Sequence, residues 1–501
     1  MKGTRIMNKK ILSLLLALLM VCTVLAACGS KKDVKETQSP ETGNVGVDEF
    51  AEVNAYVEGL VASQGTFGGK TFTIIGSPKA IVAEDQEETG NLENDALYKR
   101  QRDLEDYFDI EIEFVESKGV DSGYDNTGAE TADKVKTDVM SSLASYDLIN
   151  GNLMTCGRIM LNNGSIAPVG DISPLDFSQS WWLNDLEEQF TISNQLYFLT
   201  GKIAPSHYGD AACILYNKDV AENFDIPDLY SIVKSGEWTF DKMVEIASII
   251  DAGSDIYRYH VSGASGGLTY YFGAGFDLAQ TDEEGHLYIA KSLTSEQSDF
   301  IDKVASVFKD TKATANGQIM YDRGETFTFG EDATDGFIDG KILFHTTTMG
   351  DPSALREKDV EFGILPVPKK DVDQKEYISL ATAWMTAGVY FETVLTDVEM
   401  TATITEAMAA LSAKHLEPAY YEKALKGRGT YDTDSRDMLD LIYKTKVIDL
   451  ADTYQWGGVV EIINNACNGS NESYVSGYTG ASIVANKTIE RLEKQIAANN
   501  K

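Results

Sequence analysis

The stretch Lys70-Thr71-Phe72-Thr73-Ile74-Ile75 reads as a buried β-strand, and the order of the elements after it decides the fold. A helix is predicted from about Asn94. Next, Ile110, Ile112 and Phe114 alternate with Glu111 and Glu113, the period-two pattern of a strand. Ala132, Val135, Val139 and Leu143 then recur at helical spacing from Ala129 onward, and Tyr146 to Ile149 opens a third apolar strand. This β-α-β-α-β order predicts a parallel sheet with helices on both faces, hence an α/β class, with ligand contacts in loops beyond the carboxyl ends of the strands. The loops so marked are Gly76 to Gly90 and Asn150 to Thr155.

Before this segment, Lys2, Arg5, Lys9 and Lys10 precede the apolar run Ile11 to Val24, the pattern of a secretory signal, with Met7 offering a second start. Leu25-Ala26-Ala27-Cys28-Gly29 resembles the lipobox of bacterial lipoproteins, which implies cleavage after residue 27 and a diacylated Cys28. The apolar run is short for a bilayer crossing, which takes about 20 residues. Gly29 to Gly46 is polar and nearly free of large apolar side chains, so it reads as a tether. An amphipathic stretch, Phe50 to Leu60, comes next.

Removing residues 1–27 would take the formal net charge from −35 to −39. Charge of that sign and size excludes nucleic acid as a partner and suits an extracellular protein. Cys156, Cys213 and Cys467 are odd in number and far apart, so they do not imply a disulfide framework. The histidines (His207, His260, His286, His345, His415) are separated in sequence, and no metal-binding spacing occurs, so neither metal nor cofactor is expected.

Farther on, Asn194 to Asn217 reads as a crossing between lobes, with short strands around Gly201-Lys202 and His207-Tyr208-Gly209. Thr239 is a predicted N-cap for a helix from Phe240 to Ile250, with Trp238 and Met243 at the staple positions. Tyr216-Asn217-Lys218-Asp219 and Gly236-Glu237-Trp238-Thr239-Phe240-Asp241-Lys242-Met243 resemble the extracellular solute-binding proteins of family 1. Gly273-Ala274-Gly275, Asp282-Glu283-Glu284-Gly285, Gly340-Lys341-Ile342-Leu343-Phe344 and Gly363-Ile364-Leu365-Pro366-Val367-Pro368-Lys369 continue that resemblance in the same order, covering most of residues 70–460.

The resemblance implies a two-lobed, periplasmic-binding-protein-like (type II) fold with hinge strands between the lobes. It also implies a monomer that closes on a carbohydrate, expected to be an oligosaccharide, and delivers it to the permease of an ABC importer. Lobe one would comprise residues 67–205 and 341–410, and lobe two residues 206–340 and 411–501, behind a leading segment 28–66. Crossings are thus expected near Gly201 to Tyr208, Lys341 and Leu411.

Sugar sites combine aromatic platforms with amides and carboxylates. Candidate ligand contacts are Asn150 and Asn152 after the third strand, Tyr208 and Asp210 at the crossing, Tyr270, Asp351, Trp384 and Trp456. Turn chemistry also explains Asn150-Gly151-Asn152 and Asp351-Pro352. Trp181-Trp182 reads as lobe packing and the acidic loop residues Glu84 and Asp85 as solvated.

Two enzyme alternatives stand beside this. Gly263-Ala264-Ser265-Gly266-Gly267 fits the G-x-S-x-G elbow of serine hydrolases, although two glycines open a helix poorly. Abundant carboxylates admit a secreted glycosidase. A ligand-sensing lipoprotein that reports to a membrane sensor kinase is the third alternative.

Overall fold

The computed structural model describes residues 50–76, 81–117, 125–183, 186–251, 254–322, 331–350, 355, 358–425, 433–470 and 473–499. Cys28, the signal segment, the tether and Asp351 lie outside the described residues.

The leading helix α1 (Ala51–Gln64) is followed by β1 (Lys70–Gly76), α2 (Leu92–Phe108), β2 (Ile110–Glu116), α3 (Asp125–Ser141) and β3 (Leu148–Asn152). The Asn91 side chain caps α2 by accepting from the amides of Glu93 and Asn94. Parallel pairing joins β1 to β2 from Lys70 opposite Ile110 to Gly76 opposite Glu116, and β1 also pairs in parallel with β3. The predicted β-α-β-α-β unit is present.

A second sheet begins with β4 (Ala212–Asn217). It continues through α4 (Phe240–Ala247), β5 (Tyr257–Val261), α5 (Gly266–Gly273), α6 (Ser295–Phe308), β6 (Thr314–Asn316), α7 (Glu331–Ile338), β7 (Ile342–Thr348) and β8 (Phe362–Leu365). Its strand order is β6-β5-β7-β4-β8. β5 runs parallel to β6 and β7, whereas β4 runs antiparallel to β7 and β8. Trp238 is fully buried here and donates from Nε1 to the Pro366 carbonyl at 2.9 Å, while Thr239 caps α4, as expected.

The chain rejoins the first sheet later than the sequence suggested. After the short strand β9 (Ser379–Leu380), β10 (Ala387–Tyr390) pairs antiparallel with β3, giving the order β10-β3-β1-β2. β7 lies in the middle of the second sheet, so the return expected near Lys341 is displaced to the segment around β9. Similarly, the crossing expected near Leu411 falls inside the unbroken helix α8 (Val398–Leu425). That helix packs on α1 and α2: Tyr56 donates to Glu406 at 3.0 Å, and the buried Arg100 donates to Ser412 at 2.7 Å. Beyond it come α9 (Thr433–Lys444), β11 (Lys446–Val447), α10 (Val459–Cys467) and α11 (Tyr474–Asn499).

Glu406 explains the tryptophan pair. It accepts from Nε1 of Trp181 at 2.9 Å and of Trp182 at 3.0 Å, from Tyr56, and from the Asp176 amide, so both indoles are committed to lobe packing. Burial still pushes its pKa up to about 7. Other buried acids behave alike. Glu392, just past β10, is pushed up to about 8 by burial and then by Asp138, Asp449 to about 7 by burial, and Asp452 to about 6 by burial.

Raised carboxyl values make the folded state prefer the protonated forms. Their contribution to stability is complete below the unfolded values near 4 and is lost as pH climbs through 6 to 8. The melting temperature should therefore fall between pH 5 and pH 8.5. Glu392→Gln should recover several degrees at pH 8.5 and little at pH 5 in scanning calorimetry; a loss at pH 8.5 would contradict this account.

Candidate functional site

The connections between the two sheets meet around one buried ion pair. The Ala211 backbone bridges Ala381, and β9 pairs in parallel with β11, Ser379 opposite Lys446 and Leu380 opposite Val447. Lys446 Nζ lies 2.9 Å from Asp210 Oδ1, 2.8 Å from His207 Nδ1 and 2.8 Å from the His207 carbonyl. Thr386 donates to the other Asp210 oxygen at 2.8 Å. Three acceptors surround the ammonium, which is what a charge removed from water requires. Burial raises the Asp210 pKa and lowers that of Lys446, and their mutual attraction opposes both shifts. Burial and then the Lys446 charge push His207 well below its usual value, so its ring is neutral and its Nδ1 is free to accept.

Beside this junction lies a cavity of about 330 Å³ at the carboxyl ends of the parallel strands β5 and β7. His260 and Ser262 enter it from β5 and the turn after it, and His345, Thr346, Thr347 and Thr348 from β7. Ser265, Gly266 and Thr269 come from the start of α5, Ala333 and Thr334 from α7, and Trp384 and Met385 from between β9 and β10. Among the described residues its wall carries hydroxyls, imidazoles and one indole, with no carboxylate and no lysine or arginine. Hydroxyl-rich walls with an aromatic plate suit a polyhydroxylated ligand.

His260 and His345 are opposite one another on neighbouring strands, and their rings stack at 4.6 Å. His260 is 3% exposed, and neither ring nitrogen has a hydrogen-bond partner among the described residues. Burial, then the neighbouring His345, lowers its pKa well below the usual value, leaving it neutral.

Ser265 stands between β5 and α5, so the strand-turn-helix context of the elbow motif exists after all. Helix α5 opens on Gly266 and Gly267 because the space demands glycine. A Cβ on Gly266 would meet Val261 Cγ2 at 2.4 Å, and one on Gly267 would meet the Asn464 carbonyl at 2.5 Å. Packing therefore overrides the propensity argument. His260, the nearest histidine in sequence, makes no hydrogen bond to Ser265.

A larger cavity of about 970 Å³ lies between Glu187 to Asn194, the hairpin from Ala279 to Leu287, and Val447 to Leu450. Its buried carboxylate, Asp449, already accepts from the amides of Leu278, Ala279 and Ala451. Among the described residues it lacks an unsatisfied recognition group of the kind His260 provides.

Of the residues selected from sequence, Trp384 lines the 330 Å³ cavity, half-buried. Asn150 is not in a loop: β3 extends to Asn152 because β10 pairs with it, and the buried Asn150 Nδ2 donates to the Gly388 carbonyl at 3.3 Å. Asn152 caps the next turn, accepting from the amides of Thr155 and Cys156. Tyr208 ends the 3-10 turn Pro205–Tyr208, where the short strand His207-Tyr208-Gly209 was expected, and stacks on Tyr420 at 4.7 Å, whereas Gly201 forms an isolated antiparallel bridge with Trp182. Asp210 belongs to the ion pair. Tyr270 is buried on α5 and shares a 2.7 Å hydrogen bond with Thr346. Trp456 is buried against Tyr454 at 5.1 Å. Asp351 lies outside the described residues.

Sequence reasoning did not select His260, His345 or the Thr346 to Thr348 run. A faint signal was available: Tyr257-Arg258-Tyr259-His260-Val261-Ser262 and Ile342-Leu343-Phe344-His345-Thr346 each place a histidine late in a strand, just before hydroxyl residues.

No protein-family model matches the sequence, and no curated protein matches it. Solved structures do. An ABC substrate-binding protein from Listeria monocytogenes in complex with cycloalternan is 11% identical, with 84% of this chain and 99% of that chain covered and a TM-score of 0.52. A cyclo/maltodextrin-binding protein complexed with maltotetraose is 13% identical, with 85% and 97% covered and a TM-score of 0.54. A sugar transporter from Rhizobium etli in an open conformation is 12% identical, with 82% and 99% covered and a TM-score of 0.57. The chain has the two-lobed, periplasmic-binding-protein-like α/β fold.

Removing one member of the junction pair leaves the other charge buried alone, at a cost of about 3–5 kcal/mol. Asp210→Ala should lose that much in denaturant unfolding. The double variant Asp210→Ala with Lys446→Met should be markedly more stable than Asp210→Ala alone, and equal losses in both would show that the pair is not coupled.

Proposed function

We propose that this chain is an extracytoplasmic solute-binding lipoprotein that captures a carbohydrate, an oligosaccharide, between its lobes and hands it to the permease of an ABC importer. The observation that carries the reading is the cavity at the carboxyl ends of β5 and β7: hydroxyl-lined, uncharged among the described residues, bounded by Trp384 and adjacent to the interlobe connections. Sugar-binding proteins of the same fold, with cycloalternan and maltotetraose named as ligands, support it.

In this role the protein performs no bond chemistry. Ligand would enter while the lobes are apart, its apolar sugar face against Trp384 and its hydroxyls against Thr346 to Thr348. Contacts from both lobes would then favour the closed state, which the permease distinguishes from the open one. Cys28, as the acylated first residue of the mature chain, would hold the protein at the membrane through the polar tether; two acyl chains suffice for lasting attachment. The protein would work as a monomer, since one chain carries both lobes.

A thermal-shift screen of residues 47–501 against mono- and oligosaccharides, with amino acids and peptides as controls, tests the reading. A ligand at about 100 times its Kd stabilises by roughly 2.7 kcal/mol. Stabilisation by one glycan class without turnover supports it, whereas stabilisation by peptides alone, or product formation, overturns it. Trp384→Ala should weaken glycan binding about tenfold, equivalent to about 1.4 kcal/mol.

A further inference from the structure

We infer that His260 is a specificity-determining residue of the cavity beside β5 and β7, and that this subsite accepts an uncharged sugar unit and rejects ionised ones. The inference rests on the carbohydrate reading and deepens it.

His260 is buried, its ring forms part of the cavity wall, and both its nitrogens lack partners among the described residues. A buried polar group without a partner is unfavourable at rest and rewards whatever completes its hydrogen bonds. Stacking against His345 at 4.6 Å fixes the plane of the ring.

A neutral imidazole offers one donor and one acceptor. Adjacent sugar hydroxyls offer the complementary pair. Burial and the neighbouring ring keep His260 neutral, so it does not supply a cation to balance a carboxylate. Among the described residues the wall provides no lysine or arginine to pair with a uronate, and no acid to pair with an amino sugar. An ionised group taken into such a space would lose its hydration without a counter-charge. Ser262, Thr269, Thr346 and Thr347 extend the same uncharged hydrogen-bonding character around the wall.

Calorimetry at pH 5.5, where uronate carboxyls are ionised and glucosamine amines protonated, with maltotetraose, cellotetraose, chitotetraose, tetragalacturonate and the fully deacetylated chitosan tetramer provides the test. The expected result is binding confined to one or more of the neutral sugars, with the ionised ones at least tenfold weaker. His260→Phe should weaken that binding at least tenfold, whereas His260→Gln, which keeps a donor and an acceptor, should remain within about threefold of the unaltered chain. Melting curves of both variants show that folding is retained; if His260→Phe does not fold, the comparison of neutral with ionised sugars and the Gln variant still decide. Equal or tighter binding of an ionised tetramer, or unchanged binding by a folded His260→Phe, overturns the subsite while leaving carbohydrate capture standing. Failure of all five sugars to bind at millimolar concentration removes the subsite, and with the broader sugar panel also negative it removes the carbohydrate reading as well.

Discussion

An ammonium and a carboxylate enclosed at the junction of two sheets impose a constraint on everything around them. Lys446 sits on β11, Asp210 just before β4, and Thr386 just before β10, so a single hydrogen-bonded cluster ties together segments far apart in sequence. In a low-dielectric setting each of these groups needs all of its partners. The backbone of each connection is therefore held in place from its neighbours, and the cavity bounded by Trp384 and Met385 inherits its position from that cluster.

The first sheet was largely legible because its signals are local. Alternation in Ile110 to Phe114 and helical spacing through Ala132, Val135 and Val139 each concern a few neighbouring residues, and β2 and α3 follow from them, although Leu143, read as part of the same face, lies past the end of α3 and is exposed. The sheet to which a later strand belongs is not a local property. Ile342 to Phe344 reads as an apolar strand, but nothing in those residues states that it pairs with β4 and β5. The same reasoning explains why a crossing was misplaced inside α8, whose commitment to the first lobe is made by Glu406, Ser412 and their distant partners.

The candidate site was less legible, for a related reason. Trp384 announced itself as a large aromatic in a connecting segment. His260 and His345 are separated by a long stretch of chain and meet because β5 and β7 are parallel neighbours in register. Asn150 and Asp210 were conspicuous as polar residues near strand ends, yet the fold uses them internally, one bonded across to Gly388 and the other to Lys446. Polar residues that look available in a sequence are often those the backbone has already engaged.

The turn before α5 is held by residues near the other end of the chain. Asn464 donates to the Gly263 carbonyl at 2.8 Å and accepts from the Leu268 amide at 3.1 Å, while Gly267 lies directly against the Asn464 backbone. Because a ribosome delivers residues in order, the cavity wall assembled from β5 and α5 lacks its brace until α10 has been made. The first sheet likewise waits for β10. Parts of the early segments thus wait through much of synthesis for partners that come late, so a chain truncated before Val459 would present the cavity's sequence without the brace that shapes it, and a binding-competent form follows only once α10 has been made.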